Sequence, residues 1–208
     1  MTPAPHDLLR ISRLDALCAA DVPLTDAQRG AAMVGEHAWV VVRRAPIVGR
    51  WIPVGIRGES RSQRYRAQLA VGDVRSVIAP TALIHLQGAS QRRVLPAFRA
   101  LDTFRATVAE IDARLSWGPV GSVGFELATG AATVTPASDL DVLLTAPERL
   151  SSTVVAGLRA ALAAAPARVD VQVVTPLGGF SFDEWARTGG PVALRTDAGP
   201  VLTDAPWG

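Results

Sequence analysis

Residues 138–144, Ser-Asp-Leu-Asp-Val-Leu-Leu, constrain this chain more than any other stretch. The run Leu140 to Leu144 is short, apolar and bounded by Pro136 and Pro147, which predicts a buried strand. Side chains alternate across a strand, so Asp139 and Asp141 share one face, with Cα atoms roughly 6–7 Å apart. Leu140 and Val142 then point the other way, into a core. Two carboxylates side by side at the mouth of a buried strand repel each other and lose hydration. A cation between them relieves both costs. Hard oxygen ligands on a rigid strand suit magnesium, which also holds substrate phosphates. The competing reading is turn chemistry, in which Ser138 and Asp139 cap loop amides.

Two further features favour the cation. Gly121-Ser122 is a small turn entered from the apolar Val120. Arg168 to Val174 alternates as a second strand, with Asp170 and Gln172 on one face and Val169, Val171 and Val173 on the other. A glycine-serine turn, an acid pair on one strand and a third acid on a neighbouring strand form a phosphoryl-transfer constellation. The turn amides and the Ser122 hydroxyl hold a triphosphate. Asp139 and Asp141 hold one or two metal ions, and Asp170 accepts a proton from an attacking hydroxyl.

Gly121-Ser122, Asp139-Leu140-Asp141 and Asp170 resemble the signature of the nucleotidyltransferase superfamily, the polymerase-beta-like fold. The spacer from Ser122 to Asp139 is longer than that superfamily's usual one. A closer resemblance is carried by residues 121–130, by Ser138-Asp139-Leu140-Asp141, and by Gly178-Gly179-Phe180-Ser181 with Glu184-Trp185-Ala186. It continues through Thr196-Asp197-Ala198-Gly199-Pro200 and Pro206-Trp207, and more weakly through Val41-Val42-Arg43-Arg44 and Gly55-Ile56-Arg57-Gly58 with Gln63-Arg64. These segments are similar to the malonate decarboxylase holo-acyl-carrier-protein synthase family, the phosphoribosyl-dephospho-CoA transferases. The resemblance implies a transferase that uses magnesium. It would move the phosphoribosyl-dephospho-CoA group from 2'-(5''-triphosphoribosyl)-3'-dephospho-CoA to a serine of the acyl-carrier protein subunit of malonate decarboxylase, releasing pyrophosphate. Three alternatives stand beside it: the citrate lyase carrier counterpart, an adenylyltransferase using ATP, and a non-catalytic module on which the carrier docks.

Composition narrows the chemistry. The chain has 208 residues, enough for one large domain or two small ones. Its basic residues are all arginine, so any phosphate clamp is a guanidinium, and a lysine Schiff base or a Walker-type loop is excluded. A net charge of +2 argues against general nucleic-acid affinity. The single cysteine, Cys18, excludes an intrachain disulfide and fits a reducing cytoplasm. The polar, proline-rich start predicts no signal peptide, and no apolar run reaches the roughly 20 residues of a membrane helix.

The expected fold is α/β. A C-terminal nucleotidyltransferase-like mixed sheet with helices (residues 89–208) follows a smaller α+β N-terminal domain (residues 1–88), with Gly88-Ala89-Ser90 as the linker. Apolar spacing predicts a helix from Asp7 to Leu17, and another over 25–35 capped by Thr25. Trp39 to Arg43 and Trp51 to Arg57 read as hairpin strands, with Pro53 tolerable only at an edge. Thr81 to Arg105 reads as helical, with a break at Pro96. Trp117-Gly118-Pro119 and Gly178-Gly179 read as turns. A helix over 125–130 ends at Gly130, long Ala/Leu spacing predicts a helix over 152–165, and Phe182 to Arg187 forms a last helix. Pro191 to Arg195 is a final strand, and the tail from Thr196 wraps the domain or frays. Glu126 reads as a surface or capping acid, and His6 as an exposed terminal histidine that could touch a phosphate. Trp185 reads as structural.

Arg57, Arg61, Arg64 and Arg66 lie within ten residues, in what reads as a loop. They are expected to fold over the cleft between the domains and bind substrate phosphate or the acidic carrier protein, or else to form a solvated surface. Arg195 is the main arginine expected to join them from the C-terminal half.

Overall fold

Short apolar runs alternating with polar residues put most of the N-terminal part into strands. The computed structural model describes residues 2–20, 22–58 and 63–208, and the chain divides into two units between Ala79 and Pro80. The first unit contains β1 (Leu8–Ile11), β2 (Leu17–Ala19), β3 (Met33–Val34), β4 (His37–Val42), β5 (Trp51–Arg57), β6 (Arg64–Ala70) and β7 (Val74–Ile78). Its one α-helix among the described residues is α1 (Asp26–Gly30). The strands form an antiparallel sheet in the order β2-β6-β5-β4-β1-β7, with β3 paired to β4. Leu9, Val40, Ile52, Val54, Ile56, Ala67 and Leu69 make its fully buried core.

The helix expected over Asp7 to Leu17 is instead β1, a single 3-10 turn and β2. So short an apolar run suits either period, and pairing with β4 and β7 on both sides settles it as strand. His6 is half-buried rather than exposed: its backbone adopts φ 75°, and its N–H donates to the Val42 carbonyl at 2.9 Å. Asp7 beside it is buried, which raises its carboxyl pKa, although the Ala4 N–H partly offsets that. Thr25 does cap α1 in a full capping box, but the helix stops at Gly30 because Met33 and Val34 pair with β4. Pro53 lies on an inner strand, not an edge. The β4 ladder ends opposite Val54, so the missing N–H falls past its last rung, and the Pro53 carbonyl accepts from Arg43 at 2.9 Å.

The second unit carries β8 (Ser116–Val120), β9 (Leu140–Thr145), β10 (Val169–Thr175), β11 (Gly178–Ser181), β12 (Val192–Thr196) and β13 (Gly199–Thr203). Its helices are α2 (Pro96–Asp112), α3 (Gly121–Thr129), α4 (Ser152–Ala164) and α5 (Phe182–Thr188). The sheet order is β13-β12-β11-β10-β9-β8. Only β9 and β10 pair in parallel, joined by α4 as a β-helix-β connection. The protein is therefore a mixed α/β structure with two sheets. Leu140, Val142, Leu144, Val171 and Val173 turn into a core shared with Leu101, Phe104 and Leu158 of α2 and α4. Phe104 meets Trp117 edge to face at 5.0 Å.

Several expected loops are regular structure here. Trp117-Gly118-Pro119 lies in β8, since Trp117 must reach the core between β9 and α2. Gly178 and Gly179 belong to β11, paired with β10. Pro96 starts α2 rather than breaking a helix, as its missing N–H costs nothing in a first turn. The Gly88 region belongs to the second unit: a Cβ at Gly88 would stand 3.0 Å from the Phe98 ring. The tail is ordered. β13 pairs with β12, Trp207 packs on Phe180 and Trp185, and its indole N–H donates to the Ala146 carbonyl at 3.0 Å. Trp185 is thus structural, as expected.

Glu126 of α3 departs most from expectation. It is buried, and Arg92 holds it with two bonds, Nε to Oε1 at 2.7 Å and Nη2 to Oε2 at 2.9 Å. Oε2 also accepts from the Val134 N–H at 2.8 Å, while Arg92 donates to the Val134 carbonyl at 2.6 Å. The segment leading from α3 to Asp139 is therefore pinned. Burial pushes the Glu126 carboxyl up, but the Arg92 and Val134 hydrogen bonds outweigh it and hold the pKa below its ordinary 4.5. A depressed carboxyl stabilises the fold above its unfolded pKa and loses that contribution as pH falls through the folded value. Glu126→Gln should therefore cost about 2 kcal/mol at pH 7. Thermal denaturation from pH 7 to pH 3 should show the gap to wild type narrowing only below about 4.5. A gap constant across that range would contradict the charged clamp.

Candidate active site

β8 and β9 run antiparallel, and the register puts Val120 opposite Asp141. β9 and β10 run parallel, and the register puts Asp170 opposite Asp141. One row across three strands thus carries the residue before Gly121-Ser122, the central acid and the third acid. Asp139 sits one residue before β9. Carboxylate oxygens of Asp139, Asp141 and Asp170 all lie within 4.8 Å of one another, on half-buried side chains. The turn reading of this stretch is met in part, since Ser138 Oγ accepts from the Thr135 N–H at 3.0 Å. The opposite face of both strands is the core, so the acids occupy the half-exposed face, as the alternation requires.

Gly121 is the first residue of α3 and has φ 61°, a left-handed conformation natural to glycine. A Cβ there would overlap Asp141 Oδ2 and stand 2.8 Å from its Cγ. Glycine therefore lets the helix start directly against the acid. Ser122 follows in the first turn, and its carbonyl accepts from Thr133 Oγ1 at 2.9 Å, a second tie on the segment before Asp139. The free amides of that first turn lie beside Asp141 and favour negative charge.

Magnesium at about 2.1 Å from its oxygens sets neighbouring ligands about 3–4 Å apart. Three carboxylates within 4.8 Å come to that spacing with small side-chain rotations, and an all-oxygen donor set suits this ion. The residues present fit a divalent cation.

Arg168 is the residue that sequence reasoning missed. Its Nη2 and Nε meet Asp170 Oδ1 at 2.8 and 3.0 Å. Hydrogen bonding to Asp170, and then the charges of Asp170, Asp139 and Asp183, hold its guanidinium pKa above the ordinary value. The signal was present: Arg168 is two residues before Asp170 and shares its face. Arg168 is mostly exposed and brings a mobile positive charge into the acid cluster.

The other expected ligands are divided between the two units. Arg57 and Arg64 end β5 and begin β6, paired across one hairpin, with Gly58 N–H donating to the Gln63 carbonyl at 2.8 Å. Arg66 is on β6, opposite Gly55, so Arg64 and Arg66 are strand residues rather than loop. Arg61 lies outside the described residues. Arg195 is on β12, on the same sheet face as the acids, in the row of Gly179, Val174 and Thr145. That row is four residues along β9 from Asp141, about 13 Å, and three strands across, about 14 Å. The register does not bring Arg195 to the acids.

Gly121→Ala combines a strained φ with the overlap on Asp141. It should weaken manganese binding by about ten-fold or more in a spin-relaxation titration while far-UV circular dichroism stays native. Arg168→Ala removes a competing cation and should tighten manganese about 3- to 10-fold in the same titration. Unchanged affinity in both variants would remove the cluster as a cation site.

Comparison with known proteins agrees over nearly the whole chain. The family profile described as the phosphoribosyl-dephospho-CoA transferase MdcG C-terminal domain matches residues 84–206, and the one for the MdcG N-terminal domain matches residues 4–80. A phosphoribosyl-dephospho-CoA transferase of Pseudomonas putida is 37% identical over 207 residues, covering 99% of this chain and 95% of the relative. One from Azotobacter vinelandii is 36% identical over 209 residues, covering 100% and 95%. One from Klebsiella pneumoniae is 35% identical over 208 residues, covering 99% and 97%. No solved structure matches. With both halves matched in order and identity above a third end to end, this chain belongs to the phosphoribosyl-dephospho-CoA transferase family.

Proposed function

We propose that this transferase moves the phosphoribosyl-dephospho-CoA group from its triphosphoribosyl precursor to a serine hydroxyl of the malonate decarboxylase acyl-carrier protein. The observation that carries the reading is the single row joining Val120, the residue just before Gly121-Ser122, with Asp141 and Asp170, in a chain whose family is named for this transfer. The order of β8, Gly-Ser, α3, the Asp-Leu-Asp strand, α4 and the third-acid strand supports a nucleotidyltransferase arrangement of the polymerase-beta type.

In the reaction, the serine oxygen bonds to the α-phosphorus, the bond to the bridging oxygen of the β-phosphate breaks, and pyrophosphate leaves. The hydroxyl proton goes to Asp170. Arg168 engages Oδ1 of that carboxylate, so the proton is assigned to Oδ2. Asp139 and Asp141 would hold magnesium, which when bound neutralises phosphate charge and polarises the phosphorus. Gly121 and Ser122 offer backbone amides to phosphate oxygens at the start of α3. Arg57, Arg61, Arg64 and Arg195 are proposed as ligands for outlying phosphates of the extended precursor. A cytoplasmic setting fits the single free Cys18, and among the described residues no helix is long and apolar enough to cross a membrane.

Intact mass spectrometry of carrier protein after incubation with enzyme, precursor and magnesium tests the reading. The full prosthetic-group mass is expected. An AMP adduct formed with ATP would establish the adenylyltransferase instead, and an unmodified carrier would leave only docking. In the same assay, Asp139→Asn and Asp141→Asn should abolish transfer while the fold persists. Asp170→Asn should slow it by about 10²–10⁴ with smaller loss of metal affinity. Near-normal turnover in either of the first two would remove the metal assignment. Equal loss of metal affinity in all three would make Asp170 a ligand rather than the base.

A further inference from the structure

β1 is an inner strand of the first unit, and its Leu9 and Ile11 turn into the core. Arg10 therefore projects from the other face, beside Trp39 of β4 and Ser76 of β7. The β1–β7 register shifts between Arg10 and Ile11, pairing them with Ser76 and Val74, so Arg75 stands opposite neither. An extra residue of this kind bends the strand and re-aims its side chain. Arg75 lines the same cavity as Arg10, a recess of about 460 Å³ that His37 and Arg13 also line.

The charges there are unbalanced. Arg13 is engaged by Asp15 and Asp73 at 3.3 and 3.6 Å. Glu36, at the turn into β4, is the one carboxylate of the lining. Arg10 and Arg75 make no ion pair among the described residues. A half-buried guanidinium without a counter-charge loses hydration with nothing in return, which an anionic ligand would supply. Two guanidinium groups facing one recess suit phosphate oxygens, which they bind in planar, two-pronged fashion. The apolar part of the lining, its floor, is Leu14 and Met33, and Met33 is 42% exposed. A bare inorganic anion would leave that floor uncovered. The volume falls in the range of small-molecule sites.

We propose that this recess is a binding site for a pyrophosphate group carried on an organic chain, with Arg10 and Arg75 on the phosphates and the apolar floor under the chain. The choice of ligand rests on the transfer reading, since dephospho-CoA carries such a pyrophosphate bridge. His37 adds a donor at the rim, and Glu36 accepts from a hydroxyl or amide of the chain.

The test is isothermal titration of the full-length Asp139→Asn protein without divalent cation, so that the acid cluster contributes little. The titrants are 3'-dephospho-CoA, inorganic pyrophosphate and the acyl-carrier protein. Dephospho-CoA should bind, and Arg10→Ala or Arg75→Ala should weaken it about ten-fold each. Arg75 is exposed, so its substitution leaves the core intact; Arg10→Lys keeps the charge and should lose less than Arg10→Ala. Affinity unchanged in the alanine variants overturns the site, as does an absence of dephospho-CoA binding. Pyrophosphate binding as tightly as dephospho-CoA overturns the organic chain in favour of the released leaving group. Weakened carrier-protein binding with dephospho-CoA binding unchanged overturns it in favour of a protein-docking patch. Failure of the transfer reading shows separately, as no carrier adduct with the wild-type enzyme, whatever the arginine variants bind.

Discussion

Mutual repulsion among three carboxylates is the constraint around which the second unit is arranged. Asp139, Asp141 and Asp170 bring oxygens within 4.8 Å of one another, and everything nearby holds them there. The core face of β9 and β10 is packed by Leu140, Val142, Val171 and Val173, so the strands cannot turn the acids outward without exposing that core. The segment carrying Asp139 is tied by Thr133 to Ser122 and by Val134 to Glu126. Glu126 is in turn held by Arg92 from before α2. Burial and hydrogen bonding of that kind store the cost of a repelling cluster in the rest of the fold.

Positive features of the second unit already act on the cluster. One is the start of α3, whose free amides lie beside Asp141 because Gly121 lets the backbone approach. Another is Arg168, which bonds Asp170 Oδ1. A guanidinium on a long, exposed stem offsets the charge without closing the site.

The first unit contributes a different kind of surface. Its sheet is antiparallel throughout, with a core of aliphatic side chains, and its cations include Arg57 and Arg64, paired at the end of the β5–β6 ladder, and Arg10 and Arg75 at the β1–β7 register shift. Irregularities of this sort free side chains from the face alternation of a strand. An enzyme that handles a long, multiply charged substrate needs cationic contacts away from the reacting phosphorus, and arginine is the only residue here that can provide them at all pH values, since the chain has no lysine.

The sequence by itself determined the acid strand and its partners. Alternation placed Asp139 and Asp141 on one face and the leucines and valines on the other, and the third acid followed from the same rule. Gly130 as a helix end, Thr25 as a cap, α4 as a crossover and Trp185 as a packing residue were legible for similarly local reasons. Pairing decided the rest. Leu8 to Ile11 became a strand because β4 and β7 flank it, and Trp117-Gly118-Pro119 and Gly178-Gly179 became strands because neighbouring ladders satisfy their backbones. Burial of Glu126 depends on Arg92, distant in the chain, and no local pattern reveals such a partner. The distance from Arg195 to the acids, and the meeting of Arg10 with Arg75, are matters of register. Register is set between strands, so only the tertiary structure could fix it.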